Sequence, residues 1–555
     1  MLRPSFLRPA PPGERGDEGR ARPVESSVSP FLALRFVRFR VLVMIQLANA
    51  AGVWMHVVAA QWIMTEAGRS ATEVAAVPAA MSLPFFLLCL PVGAVAGRLS
   101  PVRMMAFATA LSALASCCAA VLASTRPESF WLILLTVVGI GSGLVALAIA
   151  WQSQIPQLVD RSAIGSAALV DGATFNLARA VGPIAGGLGL SLVGAPATFV
   201  VTAVLFALCV TGIVGVAPRK PLATATSETL LQSIRGGLRF TRHSPWTRRL
   251  LLRLCLFGVP SAALWALLPL VVHQRLGLAA NAFGLLFGAV GIGAVGGTAV
   301  LAPLRARLTV NQFGLVGSTT FAAMLLGLAL ASDVWVVAAL LVLGGASWVG
   351  VQTTWMTAAH QALPDWIRPR IIALILLAFQ GCQALGALVW GVAADVAGIE
   401  WALSGAAALM GLAALGFLRH GLYPSAGIEP EPADASVPTS GTDVPPVGAI
   451  RIEVVYLPRE EELAAFLDAI DALRLSRLRL GAGGWELLVE PAVPGSYVET
   501  FPVGSWADYV AAETVRLTVP EQRLRERVRL LLRQEPTIRV LVREHHDRRT
   551  RGALR

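Results

Sequence analysis

Residues 175–187 read FNLARAVGPIAGG, and residues 379–391 repeat much of that pattern as FQGCQALGALVWG. At an offset of 204 residues (379 − 175), the two stretches share a phenylalanine, an amide (Asn176 with Gln380) and two glycines. Such a repeat indicates a parallel duplication of six helices, which is one architecture of membrane proteins. The alternative is chance similarity, because glycine is common in all membrane helices.

Around this repeat, charge-free runs are long enough to cross a bilayer, which takes about 20 apolar residues. Eleven such runs occur, at 41–65, 74–97, 104–125, 129–159, 180–218, 254–274, 276–304, 308–332, 334–364, 371–394 and 401–418. The run at 180–218 is interrupted at Gly194-Ala195-Pro196, so it holds the end of one helix and the whole of the next. The sequence therefore predicts twelve transmembrane helices, six on each side of a basic loop at 219–253.

The composition excludes a purely soluble enzyme and a disordered chain. Of the 555 residues, 55% are hydrophobic and only 14% are charged, against about 25% charged in soluble domains. The six cysteines lie in apolar stretches and have neither a disulfide nor a zinc-ligand spacing. The net charge of +11 lies almost entirely in the N-terminal arm and the membrane part. It therefore reports topology, and we expect no nucleic-acid partner.

The loops differ in charge on the two sides of the membrane. Alternate loops counted from Arg98 hold fourteen Arg and Lys residues, whereas the other side holds only Arg69, Arg126 and Arg275. By the positive-inside rule, both termini are expected in the cytoplasm. Residues 2–40 lack a compact apolar core followed by a cleavage site, so we expect no cleaved signal peptide.

Further motifs follow in a characteristic order: LP at 83–84, LPVG at 90–93, NLARAVGP at 176–183, LLP at 267–269, GAVGIGA at 288–294, GASW at 345–348 and PDWIRPR at 364–370. Over residues 35–420 this order resembles the transmembrane secretion effectors, a drug- and siderophore-exporter branch of the major facilitator superfamily. The resemblance implies a multi-pass protein of the bacterial inner membrane that moves a small-molecule substrate. It also implies a proton or another ion as coupling partner and no cofactor or metal.

The loop between the second and third spans departs from the superfamily pattern Gly-x-x-x-Asp-Arg. Residues 93–98 read GAVAGR, so Gly97 stands at the acidic position, next to Arg98. The usual latch between a carboxylate and an arginine cannot form there. We therefore expect a different contact to close the cytoplasmic gate, or a shifted gating equilibrium.

The resemblance implies that the first, fourth, seventh and tenth spans line a central cavity. The candidate substrate path consists of Gln46, Asn49 and His56 in the first span, Trp265 in the seventh, and Trp348, Gln352 and Trp355 in the tenth. Within each span these side chains share one helical face, and polar groups facing lipid are costly. Two indoles beside an amide would hold a flat amphipathic ligand. The alternative is that these residues only pack or hydrogen-bond between helices.

Arg179 lies about 25 Å along the fifth span at 1.5 Å per residue, where a guanidinium needs a carboxylate, helix carbonyls or water. We assign it to gating between the halves, with direct substrate contact as the alternative. The gating and coupling candidates are Arg98, Asp171, Asn176, Arg179, Gln380 and Gln383. Asp171 is the first choice as proton carrier, with Glu66, Asp395 and His56 as alternatives. The sequence has no Gly-x-x-x-x-Gly-Lys-Ser/Thr motif, so an ion gradient is the expected energy source.

The hydrophilic tail has a different pattern. Residues 450–543 alternate strands and helices in a ferredoxin-like α+β order. The segments GGW at 483–485 and ETFPVGSW at 499–506 resemble the antibiotic-biosynthesis-monooxygenase-like (ABM-like) domain, and that resemblance implies a homodimer formed through the sheets. We expect a regulatory or dimerising module, since His545 and His546 form no acid–base constellation with other residues.

The sequence thus predicts an all-α membrane protein of twelve helices in two halves, with a small cytoplasmic α+β domain. Its predicted parts are an arm (1–36), the first half (37–217), a loop with an amphipathic helix (218–250), the second half (251–420), a flexible linker (421–448), the ferredoxin-like domain (449–546) and a basic tail (547–555). The predicted function is secondary active export of amphipathic drugs, siderophores or metabolites by alternating access, without enzymatic activity. The competing hypothesis is a membrane-anchored enzyme or metabolite sensor that acts through the tail domain.

Overall fold

A computed structural model describes residues 32–96, 99–126, 129–216, 230–419, 422, 431, 433 and 449–542. Arg98, most of the predicted linker and the basic tail lie outside these residues. The helices of the first half are α1 (Val37–Glu66), α2 (Ala71–Ala96), α3 (Pro101–Thr125), α4 (Phe130–Leu158) and α5 (Ile164–Val216).

Helix α5 contains two membrane spans. Gly194 has a φ of +79°, a left-handed conformation that glycine adopts without steric cost, and Pro196 follows it. The 53 residues of α5 would measure about 80 Å as one rod, far more than the ~30 Å of a bilayer core. The described residues contain eleven helical segments of membrane-crossing length. With α5 divided at Gly194, they make twelve crossings, as predicted.

The second half follows a short surface helix. This helix is α6 (Leu230–His243), and the helices after it are α7 (Pro245–Leu270), α8 (Ala280–Val300), α9 (Ala302–Arg307), α10 (Val310–Leu330), α11 (Val334–Ala362), α12 (Arg368–Ala397) and α13 (Ile399–Arg419). Local signals start several of them: Thr309 forms a capping box with Gln312 in α10, and Asp333 accepts hydrogen bonds from the first backbone N–H groups of α11.

Glycines of the repeat make equivalent contacts in the two halves. A Cβ on Gly182 would lie 2.7 Å from a backbone oxygen of α1, and one on Gly386 would lie 2.4 Å from a backbone oxygen of α7, six spans later. Gly187 and Gly391 instead pack across the boundary between the halves, on α8 and α2 respectively. Only glycine allows such close backbone approach, so the repeat in the sequence is also a repeat of helix contacts.

The tail forms a four-stranded antiparallel sheet with helices between the strands. Its elements are β1 (Ile450–Tyr456), α14 (Leu463–Leu480), β2 (Glu486–Val489), β3 (Tyr497–Val503), α15 (Trp506–Thr514), α16 (Val519–Leu530) and β4 (Thr537–Val542), with sheet order β2-β3-β1-β4. Ile452 pairs with both Phe501 of β3 and Val540 of β4. The α+β order expected from the sequence is present.

A buried polar network joins the sheet of the tail to its helices. Glu499 accepts hydrogen bonds from the Tyr456 hydroxyl (2.6 Å) and from Arg477 (3.3 Å), and Arg477 also donates to Glu513 (2.8 Å). Burial alone would raise the pKa of Glu513, but the neighbouring Arg477 and Arg525 outweigh it and lower that pKa. Buried charges that are fully paired in this way specify one packing arrangement.

The tail domain packs on one end of the second half. Trp366, in the turn between α11 and α12, meets Phe240 of α6 edge-on with ring centroids 5.9 Å apart. The guanidinium of Arg516 in the tail lies 5.5 Å from the Trp366 ring, and Leu480 and Leu517 belong to the apolar cluster that Trp366 joins. The tail therefore bridges α6 and the beginning of α12.

Candidate transport cavity

A cavity of about 490 Å³ lies between the two halves, a size typical of small-molecule sites. Helices α1, α2, α4 and α5 line it from the first half, and α7, α8, α11 and α12 from the second. Lining residues related by the 204-residue offset include Leu144 and Trp348, Ala148 and Gln352, Phe175 and Phe379, Asn176 and Gln380, and Arg179 and Gln383. The cavity is thus built from equivalent positions of the two repeats.

Arg179 is the one charged residue among the lining residues that the structure describes. It is only 5% exposed, and its guanidinium carbon lies 4.4 Å from the Trp348 ring, 5.1 Å from Phe175 and 5.6 Å from Trp54. Its Nη1 donates to Asn176 Oδ1 over a long 3.5 Å. Its Nε has no hydrogen-bond partner within the described chain. Aromatic faces therefore surround this cation, and no carboxylate of the described residues pairs with it.

Asp171 is not close to Arg179. Its carboxylate accepts hydrogen bonds from the Trp151 indole (2.7 Å) and the Gln152 amide (3.2 Å), both in α4. Eight residues separate it from Arg179, about 12 Å along α5, and it does not line the cavity. The structure therefore places the candidate proton carrier at the α4–α5 contact.

The second half supplies tryptophans and amides to the cavity. Trp348 meets Trp265 edge-on with ring centroids 5.9 Å apart, and Gln352 lies beside them in the lining. The indole nitrogen of Trp348 and the amide oxygen of Gln383 are buried and without hydrogen-bond partners in the described part of the chain. The wall of the cavity thus holds donors and an acceptor that the protein does not use.

Trp355 lies outside the cavity, although it shares a helix face with Trp348. It is 1% exposed, stacks on Phe417 of α13 (6.1 Å) and meets Phe257 of α7 edge-on (5.6 Å). Seven residues correspond to about 10 Å along α11, and at that depth α7 and α13 cover the helix. Trp355 therefore packs between helices, which was the alternative to a role in the substrate path.

The polar face predicted for α1 also turns away from the cavity. Asn49 donates to Thr109 of α3 (3.0 Å), and the His56 ring is hydrogen-bonded to Ser116 of α3 (3.0 Å) and Thr136 of α4 (3.2 Å). Gln46 is not among the lining residues either. The lining residues of α1 are Ala50, Val53, Trp54, Val57 and Gln61, a face rotated by about one residue, or 100°.

Two of these lining residues are polar or aromatic and were not singled out from the sequence. Trp54 stacks beside Arg179, and the Gln61 amide donates to the Trp265 backbone carbonyl of the other half (2.9 Å). Trp54 and Gln61 are seven residues apart, so the same spacing rule that selected Asn49 and His56 would also have selected them. Phe175 was quoted within the repeat but not assigned to the site.

Contacts between the halves gather at the end of the molecule that carries the α1–α2 turn, which we call the outer end. There Trp62 stacks on Phe283 (5.7 Å), Asp395 accepts from the Thr72 hydroxyl (2.5 Å), and the Asn281 backbone donates to Ser191 (3.0 Å).

Toward the opposite end the halves separate. On α5, Leu169 lies three turns from Ala180 on the same helix face and is 64% exposed, and on α8 Val295 lies one turn from Gly291 on the same face and is 39% exposed. At mid-helix, by contrast, Gly291 of α8 is in close contact with Ala180 of α5. The seam between α5 and α8 is therefore tight at and above the cavity and open below it.

Comparisons with known proteins agree with this architecture. The family model for transmembrane secretion effectors matches residues 27–549. No curated protein is similar enough to count as a match.

Among solved structures, similar folds include a bacterial homologue of the human lysosomal transporter Spinster, in an inward-facing and unoccupied conformation (TM-score 0.60, 14% identity, 72% of this chain and 99% of that one). They also include the nucleoside transporter NupG (TM-score 0.56, 12% identity, 69% and 98%). A third is a POT family transporter in complex with 5-aminolevulinic acid (TM-score 0.55, 12% identity, 69% and 96%).

Proposed function

The chain belongs to the transmembrane secretion effectors and is a membrane transporter of the major-facilitator type, and from this premise we propose that it exports amphipathic small molecules by alternating access. The observation that carries the proposal is the cavity between two repeat-related halves, which are in tight contact at the outer end and splayed at the other. A transporter of this type exposes one site alternately to the two sides of the membrane.

The direction of transport follows from the predicted orientation. Basic residues gather in the loops at the splayed end, so this end is proposed to face the cytoplasm of a bacterial cell, with both termini there. The cavity would then be open to substrates inside the cell. Export requires that the outer contacts of Trp62, Asp395 and Ser191 break while the splayed end closes.

Proton coupling is the proposed energy source, with Asp171 as its carrier. The carboxylate accepts two hydrogen bonds from α4, and protonation would weaken both because a protonated carboxyl accepts less well. The contact between α4 and α5 would loosen when the proton binds. His56 is the less suitable candidate, since its two ring nitrogens are enclosed by Ser116 and Thr136.

The tail is proposed to regulate transport. It adopts the βαββαβ order of a ferredoxin-like domain, and it is docked on α6 and on the turn before α12. An ABM-like identity and a homodimer formed through its sheet remain predictions from the sequence. The competing hypothesis of a tail enzyme is tested by deleting residues 421–555, since export that survives the deletion assigns the tail an auxiliary role.

A reversible cross-link tests alternating access. Cysteines replacing Ser191 and Asn281, whose Oγ and backbone N lie 3.0 Å apart, should form a disulfide that holds the outer end closed. We expect oxidation to abolish export from cells, and a membrane-impermeant reductant added outside to restore it. The single cysteine variants are the matched controls. Undiminished export by the cross-linked protein would refute alternating access, and rescue only by a permeant reductant would reverse the proposed orientation.

A further inference from the structure

We propose that the cavity selects organic acids, each with a flat apolar body and one anionic group that pairs with Arg179. This inference rests on the proposed function and deepens it by naming the substrate class. It is carried by an uncompensated buried cation beside hydrogen-bond donors that the protein leaves unused.

The charge of Arg179 is not balanced by the described protein. An arginine does not give up its proton inside a protein, and a buried charge is costly unless it is paired. No Asp or Glu occurs among the lining residues that the structure describes. The carboxylate on the same helix, Asp171, already accepts hydrogen bonds from Trp151 and Gln152. An anion that enters the cavity would supply the missing counter-charge.

The contacts around Arg179 leave a donor of its guanidinium unused. The rings of Trp54, Phe175 and Trp348 contact the group within 5.6 Å, and cation–π contacts of this kind use none of its N–H donors. Within the described part of the chain, the Nε donor has no partner, and the nearby Trp348 indole N–H has none either. The planar fork of a guanidinium suits a carboxylate, and the indole N–H is a further donor that an anion beside Arg179 would use.

The other lining residues indicate the shape of the uncharged part of the ligand. Trp265 and Phe287 also line the cavity, with ring centroids 5.4 Å apart, and both pack on Trp54; flat aromatic rings pack well against such faces. The unpartnered amide oxygen of Gln383 would accept a hydrogen bond from a hydroxyl or N–H on the ligand. A cationic drug would instead meet Arg179 with like charge and no carboxylate to hold it.

Three probes of equal size and shape test the charge preference: 2-naphthoate, 2-naphthamide and the cation 2-(aminomethyl)naphthalene. Binding of each to the purified full-length protein in detergent is measured by calorimetry. We expect the acid to bind at least tenfold more tightly than the amide, and the cation to bind most weakly. We also expect that excess inorganic phosphate, which has no apolar body, will not displace the acid.

The variant Arg179→Gln tests whether the preference for the acid depends on the arginine. It should bind the acid no more than twofold more tightly than the amide. Equal binding of the three probes by the wild type, an acid preference that survives Arg179→Gln, or displacement by phosphate would overturn the inference. If the variant does not fold, the probe series on the wild type still decides.

Transport into inside-out vesicles separates the inference from the function on which it rests. Acid-selective binding without uptake under any imposed gradient would refute export but leave the acid site intact. Uptake of neutral and acidic probes at equal rates would support export and refute the acid preference.

Discussion

The two six-helix halves present equivalent helices to the cavity but different side chains. In the first half, Arg179 lies beside Trp54, and Trp54 packs on Gly182; in the second, Gln383 takes the place of Arg179, and Ala262 packs on the equivalent Gly386. The offset also pairs Leu144 with Trp348. The charge therefore comes from one half, whereas the large indoles come from both.

The difference between the two halves at the cavity shows which positions stay the same in a duplicated fold. Glycines at helix contacts have no room to vary, since a Cβ at Gly182 or Gly386 would lie under 3 Å from backbone of the neighbouring helix. Side chains that face the cavity have no such neighbour, so each half can acquire its own chemistry there. Asymmetry at the cavity is thus compatible with a symmetric arrangement of helices.

Moving the charge from the first half to the second tests whether the halves are interchangeable, and we expect this change to have the largest effect. We expect Arg179→Gln to reduce vesicle uptake of 2-naphthoate at least tenfold, and we expect adding Gln383→Arg to restore less than a tenth of it. The reason is that Ala262 and Leu144 stand at the positions equivalent to Trp54 and Trp348, so that of the three aromatic faces around Arg179 only one has an equivalent near position 383, Phe379. Full recovery in the double variant would make the halves interchangeable. Gln380→Asn, which matches Asn176, is the control and should change uptake less than twofold.

The sequence predicted the helices better than the face of each helix. Twelve spans followed from charge-free length and the Gly194 break, because the cost of burying charge in lipid depends on composition alone. Asn176, Gln380 and Gln383 were found through the repeat and Arg179 through its charge deep in a span, and all four line the cavity.

The face of α1 could not be predicted in this way, since polar residues turn inward both toward a cavity and toward a neighbouring helix. His56 has the spacing of an inward-facing residue, but its hydrogen bonds go to Ser116 and Thr136 of neighbouring helices. Trp54, next to Val53, lines the cavity instead. Rotation about a helix axis is set by packing against neighbours, which a single sequence does not contain.

Exchanging the aromatic residues is expected to have a smaller effect than moving the charge. Trp348→Leu gives the second half the residue of the first, Leu144, and removes a cation–π contact of roughly 1 kcal/mol together with an indole donor. Uptake of 2-naphthoate should fall about threefold to tenfold, with unchanged yield of folded protein by size-exclusion chromatography. Trp355→Leu is the matched control, because Trp355 packs on Phe257 and Phe417 and should cost yield and thermal stability instead. If both variants lose folded protein equally, Trp348 also has a packing role.

The smallest expected effect concerns the turns that precede the repeated helices. The turn at 156–161 and the turn at 364–368 match in sequence position, but only the second carries a tryptophan, and Trp366 is the residue on which the tail docks. We expect docking there to stabilise the conformation with the splayed end open, because a contact present in one state only biases the equilibrium toward that state. Trp366→Ala should therefore release the tail, speed closure of that end and raise uptake by about twofold without changing the preference for acids.

Hydrogen exchange in the full-length protein should increase at 237–243 and 477–482, where α6 and α14 meet the dock. Asp160→Ala in the matching turn is the control, because Asp160 is exposed, and it should leave exchange at those two segments unchanged. A fall in uptake, with exchange increased as expected, would mean that the docked tail supports transport and does not restrain it.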